Sequence, residues 1–169
     1  MVKKKVYLET TLFNFYFEEN KKIDHINTVK LFEEIAAGKY EAFTSTYVID
    51  ELKKARNKEK RDKMLSLIGK YGITILRPNH EVITMAGIYT EEGVIKQKYK
   101  MDRLHIAIAT VHRLDMIVSM NFDHIVKRKT KIMTSHINVQ KGYRAVKICS
   151  PTEVAEYGKK DQLDRKGSQ

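Results

Sequence analysis

The chain has one cysteine, two prolines and eight glycines in 169 residues. A single thiol, Cys149, excludes an intramolecular disulfide framework and any zinc site built from several cysteines. That usage fits a reducing compartment, and the cytoplasm is the expected location. So few prolines and glycines leave little material for long flexible linkers. No apolar run approaches the roughly 20 residues that a membrane-spanning helix needs, so no membrane association is expected. The basic residues 1–5 are followed by an apolar stretch that Glu9 interrupts, which does not read as a secretory signal.

What is present points to an ordered domain. Hydrophobic residues make up 42% of the chain, a globular value. The length favours one domain, read as residues 1–157 followed by a polar tail, 158–169. Lys and Arg number 32 against 21 Asp and Glu, a net charge of +11. Such an excess concentrates polyanions and speeds their encounter, so nucleic acid is the first candidate partner and an acidic protein the second.

Strand-like and helix-like segments alternate. The segments 4–8, 41–44, 73–76, 116–119 and 146–148 are short, apolar and rich in β-branched or aromatic residues, as strands are. Helices are expected after Thr10 and Thr11 as caps, over 24–37 with Ile26, Val29, Leu31, Phe32 and Ile35 inward, and after a Ser45 or Thr46 cap. A basic helix ends near Gly69, with Met64, Leu65 and Ile68 inward. Further helices are expected over 80–91 with Val82, Ile83, Met85 and Ala86 inward, over 101–113, over 122–126 and over 131–139. The last starts at Pro151 and ends near Tyr157. Strands alternating with helices imply an α/β fold with a mainly parallel sheet.

In open α/β sheets, ligands bind at the carboxyl ends of strands. Glu9 ends the first strand. Glu51 lies early in the helix after the second. Asp102 opens the helix before the fourth, and Asn121 follows that strand. Neighbouring strands would bring these four side chains to one rim. Crowded carboxylates repel, and a divalent cation relieves them; hard oxygen donors select Mg²⁺ or Mn²⁺. Each acid also has an ordinary reading: Glu9 and Asp102 as helix-start acids, Glu51 as an i,i+3 partner of Lys54, and Asn121 as a turn residue. His105 reads more readily as a packed, hydrogen-bonded residue than as a ligand.

The segments VYLETTLFN (6–14), STYVIDEL (45–52), MDRLHIA (101–107) and VSMNFDHI (118–125) resemble PIN-domain signatures in order and spacing. INVQKGY (137–143) and SPTEV (150–154) resemble a prokaryotic subgroup, the VapC toxins. The resemblance covers residues 4–157 and implies a three-layer α/β/α sandwich and an Mg²⁺- or Mn²⁺-dependent endoribonuclease. It implies that Glu9, Glu51 and Asp102 hold the metal, that Asn121 completes the catalytic set, and that a small antitoxin restrains the protein. Asp123 is a substitute for Asn121 in that role. Glu9 departs from the usual Asp by one methylene, which implies reduced activity or a nucleic-acid-binding role without turnover. Lys53, Lys54, Arg56, Arg103, Lys127 and Arg128 are candidate RNA contacts. A homodimer is expected on symmetry grounds. A receiver-type phosphotransfer domain is a weaker alternative, because no Asp fits its phosphoacceptor position. A structural subunit of a larger assembly is another.

Overall fold

The computed structural model describes residues 2–168. In chain order its elements are β1 (Lys4–Leu8), α1 (Thr10–Phe15), α2 (Lys22–Ala36), β2 (Tyr40–Ser45), α3 (Thr46–Lys53) and α4 (Lys58–Lys70). Then come β3 (Thr74–Leu76), α5 (His80–Glu91), α6 (Lys100–Val111), β4 (Met116–Val118), α7 (Arg128–Gln140), β5 (Lys147–Cys149) and α8 (Pro151–Gly167).

The strands form one sheet in the order β3-β2-β1-β4-β5, and all four pairings are parallel. The central strand is apolar on both faces: Val6, Tyr7 and Leu8 have no exposed surface. This is the pattern of a parallel strand covered by helices on both sides. The chain winds outward from β1 to β3, then crosses to β4 and winds the other way. Right-handed crossovers put helices on opposite faces when the direction reverses. α2 packs on α8, and α5 packs on α6. The reversal makes a crevice between the carboxyl ends of β1 and β4, where Glu9 N–H donates to the Val118 carbonyl at 3.1 Å. The fold is thus the expected three-layer α/β/α sandwich, with its sheet wholly parallel.

Several local expectations need correction. Glu9, not Thr10 or Thr11, caps α1: its carboxylate accepts from Thr11 N. Ile26 on α2 and Ile83 on α5 face solvent, and Leu67 on α4 is buried where Leu65 and Ile68 are only partly so. Residues 122–126 form turns rather than a helix, because the Asn121 carbonyl accepts from both Ile125 N and Val126 N. α8 does not stop near Tyr157 but continues to Gly167. It starts on a Ser150–Glu153 capping box with Pro151 in its first turn. Gly38, at φ +82°, follows α2 in the left-handed conformation that terminates helices.

Two buried polar nodes interrupt the core. Tyr89 of α5 bonds to Thr110 of α6 and to Asn138 of α7, tying three helices together. Tyr7 of β1 reaches Ser45 at 2.7 Å and His105 Nδ1 at 2.6 Å. Cys149 in β5 is fully buried, and burial pushes its thiol up to about 11. Thiolate is the reactive form. Iodoacetamide is therefore expected to modify native Cys149 roughly a hundredfold more slowly than the urea-unfolded chain, as followed by mass spectrometry. Equal rates would mean that β5 opens readily.

Candidate active site

The crevice at the sheet's reversal is built around Glu9. It ends β1 and is 4% exposed. Its Oε2 accepts from Thr11 N at 2.9 Å, and its Oε1 accepts from the Thr11 hydroxyl at 2.8 Å and the Ser119 hydroxyl at 2.5 Å. Thr11 Oγ1 accepts in turn from Met120 N at 2.8 Å, and Ser119 Oγ from Asn121 N at 2.9 Å. Each hydroxyl therefore points its proton at the carboxylate. Burial raises the Glu9 carboxyl above its ordinary range, and the nearby His105 and these donors hold back only part of that rise.

Removing one donor from a buried acceptor is costly. Ser119→Ala is expected to destabilise the fold by about 1–3 kcal/mol at neutral pH, as read by urea denaturation. The mutation raises the native Glu9 carboxyl further while the unfolded value stays put. The native state then gains more from protonation, so the deficit shrinks as pH falls through the native Glu9 value. A pH-independent deficit would mean that Ser119 acts by packing.

Glu51, on α3, accepts at Oε1 from the Thr10 hydroxyl at 2.8 Å and faces His105 Nε2 at 2.5 Å. Burial pulls this carboxyl up, but the His105 hydrogen bond and charge outweigh it, and the net shift is downward. His105, on α6, is 1% exposed. Burial works against its charged form, yet Glu51, with help from Glu9 and Asp102, raises it overall. Glu51, His105, Tyr7 and Ser45 thus form a chain of hydrogen bonds from the rim into the core.

Asp102 sits in the first turn of α6. Its Oδ2 faces His124 Nδ1 at 2.9 Å, and its Oδ1 accepts from Asn121 Nδ2 at 3.3 Å. Burial raises this carboxyl, His124 opposes the rise, and the negative charge of Glu51 adds to it. His124 stacks on Tyr99 with ring centroids 3.8 Å apart.

Three of the four predicted residues share one network: Ser119 links Glu9 to Asn121, and Asn121 links to Asp102, while Glu51 is held separately by Thr10 and His105. The four do not converge on a point. Among the described residues, no three His, Cys, Asp or Glu side chains form a group that could hold a metal ion. Imidazoles stand opposite both Glu51 and Asp102. The donor chemistry still suits a hard divalent cation, since the rim offers carboxylate and amide oxygens and Glu51 and Asp102 feel each other's charge.

A cavity of about 570 Å³ opens here, lined by Glu9, Thr10, Thr11, Glu51 and Asn121 and walled by Lys54, Arg56 and Lys60. Lys53 is exposed on α3, and Lys127 and Arg128 are exposed at the start of α7. Arg103 is corrected: it is 3% exposed and donates to the carbonyls of Ile95, Lys96 and Gln97, so it braces the loop before α6 and is not offered to RNA. Asp123 is exposed and lines a separate cavity of about 200 Å³ with Tyr99, His124, Lys127 and Lys129. Sequence reasoning missed Ser119 and His124. The signal for Ser119 was a hydroxyl directly after a strand at the sheet's reversal. Thr10 and Thr11, expected mainly as caps, bond to the acids.

No family model and no curated protein matches the chain. Among solved structures, it is similar to VapBC2 from Rickettsia felis bound to a DNA fragment from their promoter. The TM-score is 0.54 at 15% identity, over 86% of this chain and 98% of that one. VapBC-5 from Mycobacterium tuberculosis, a member of the VapBC family of toxin–antitoxin systems, gives 0.48 at 16% identity over the same shares. No helix among the described residues is long and apolar enough to cross a membrane.

Proposed function

We propose that this chain, which has the PIN-domain α/β fold of the VapC toxins, is a divalent-metal-dependent ribonuclease that hydrolyses RNA phosphodiester bonds. The observation that carries the reading is that Glu9, Glu51 and Asn121 line a cavity walled by Lys54, Arg56 and Lys60, with Asp102 tied to Asn121 beside it.

Glu9, Glu51 and Asp102 would hold Mg²⁺ or Mn²⁺. When bound, such an ion lowers the pKa of a water and offsets charge on the phosphate. The chain's own groups supply the rest. Thr11 and Ser119 fix the Glu9 oxygens. Thr10 and His105 fix Glu51. His124 fixes Asp102. Lys54, Arg56 and Lys60 draw the RNA backbone to the cavity; electrostatic attraction of this kind is independent of sequence and falls with salt. The likeness to a VapBC complex supports a small antitoxin as partner.

A second reading is a PIN-fold protein that binds nucleic acid without cutting it. It is favoured by the Glu9 carboxylate, whose two oxygens already accept three hydrogen bonds. Incubation of the purified protein with a mixture of structured and single-stranded RNAs separates the two. Cleavage with Mn²⁺ that stops in EDTA is the expected result. Retained binding with no cleavage of any RNA would replace the first reading by the second.

A further inference from the structure

The other end of the sheet carries a second basic feature. Lys4 opens β1, Tyr40 opens β2, Met116 opens β4 and Lys147 opens β5. These residues border a cavity of about 430 Å³, closed by Lys3, the turn at Gly38–Lys39 and one side of α8. The five-residue β1 separates it from Glu9 by about 15 Å at the usual strand rise, so it is not part of the acidic crevice. Through Lys39 and Gly158 it joins a second furrow of about 310 Å³ that adds Lys30 and Lys159. Seven cationic side chains and two carboxylates, Asp161 and Glu34, line the joined groove.

Three of the amines lie against the groove's walls. Lys3 Nζ lies so near Gly38 that an added Cβ there would come within 3.4 Å of it. Lys39 Nζ would meet a Cβ on Gly158 at 3.0 Å, although Glu34 also holds it at 2.9 Å. Lys147 Nζ sits 3.1 Å from the centre of the Tyr157 ring. Gly158 is a glycine inside a helix, where alanine would be the more stable residue. Here it leaves room for a lysine head. The repulsion among these amines is relieved most by an extended polyanion, because the groove is elongated and its cations are spread along it. A compact anion would neutralise one end only.

We propose that this groove binds the phosphate backbone of a single-stranded nucleic acid, apart from the crevice and without need of cleavage. Contact with phosphates alone predicts little preference for base sequence and a strong dependence on salt.

The test measures binding of fluorescein-labelled oligouridine, twelve nucleotides long, by fluorescence anisotropy in EDTA. The full-length protein is compared with the pair Lys3→Glu and Lys147→Glu, and with the charge-matched pair Lys21→Glu and Lys22→Glu, which line neither furrow. The groove pair is expected to weaken binding at least about tenfold and to lower the salt slope by roughly 0.7 for each phosphate that is no longer neutralised. The control pair is expected to weaken binding less than about threefold, a margin set by its share of long-range attraction alone. Equal losses in both pairs would overturn the proposal, as would displacement of the oligonucleotide by inorganic triphosphate at the same phosphate concentration. Should the groove pair fail to fold, amide shifts of wild-type protein titrated with unlabelled oligouridine decide the matter. Shifts confined to residues 38–40, 147 and 157–161 support it, and shifts confined to the crevice refute it. Because binding is read in EDTA, its outcome bears on this groove alone, and the nuclease reading stands or falls separately on cleavage with Mn²⁺.

Discussion

Asp102→Asn and Glu51→Gln are each expected to lower RNA cleavage by at least about a hundredfold, since loss of even an outer partner of a metal ligand costs 10–100-fold. Both replacements keep side-chain size and remove only the negative charge. An Asn at 102 can still accept from His124, and a Gln at 51 can still accept from Thr10 and His105, so the fold should survive. The thermal midpoint separates the two effects: it should move little while activity collapses. Retention of wild-type rates in both variants would remove these carboxylates from the chemistry. A collapse of folding along with activity would show that the His105–Glu51 and His124–Asp102 pairs are structural supports.

Phe32→Ala is expected to cost about 3–5 kcal/mol, the usual range for emptying a large aromatic core position. Phe32 has no exposed surface. Its ring meets Phe13 at 6.0 Å, Tyr16 at 5.0 Å and Tyr71 at 5.0 Å, all edge to face. The Tyr16 and Tyr71 hydroxyls, 2.6 Å apart, close the cluster at its surface. These rings join α1 and α2 to the end of α4. For a chain of this size, the loss lowers the midpoint by about 6–20 °C. Because α1 begins at Thr10 and Thr11, its loosening should also weaken the hold on Glu9 and Glu51. Activity well below the melting transition is therefore expected to fall as well. A midpoint within about 2 °C of wild type, under the shift that 1 kcal/mol gives, would show that the cavity collapses at no cost.

The sheet was legible because its strands are short, apolar and punctuated by caps and turns. β1 and α5 fall on the expected residues, since Val6 and Leu8, and Val82, Met85 and Ala86, carry their periodicity locally. What was hidden was set by distant partners. Glu9 beats Thr10 and Thr11 as the cap of α1 because Ser119, 110 residues away, orients its carboxylate from the far side. The apolar stretch 122–126 reads as helix, but Asn121 folds it into turns by accepting from His124 N with its side chain and from Ile125 and Val126 with its carbonyl. Arg103 looked like a surface cation because charge alone does not reveal three carbonyls turned toward it. The rim was read from Glu9 and Asn121 after strands and from Glu51 and Asp102 early in helices. Its internal pairing was not: nothing in the spacing of Glu51 and His105 says that the imidazole will also reach Tyr7 on the central strand.

The most direct test of the account is a crystal of the protein soaked in Mn²⁺ and examined at the manganese absorption edge. The account predicts one or two anomalous peaks bounded by Glu9, Glu51 and Asp102, with His105 still beside Glu51 and His124 still beside Asp102. Empty density there at millimolar Mn²⁺ would contradict it.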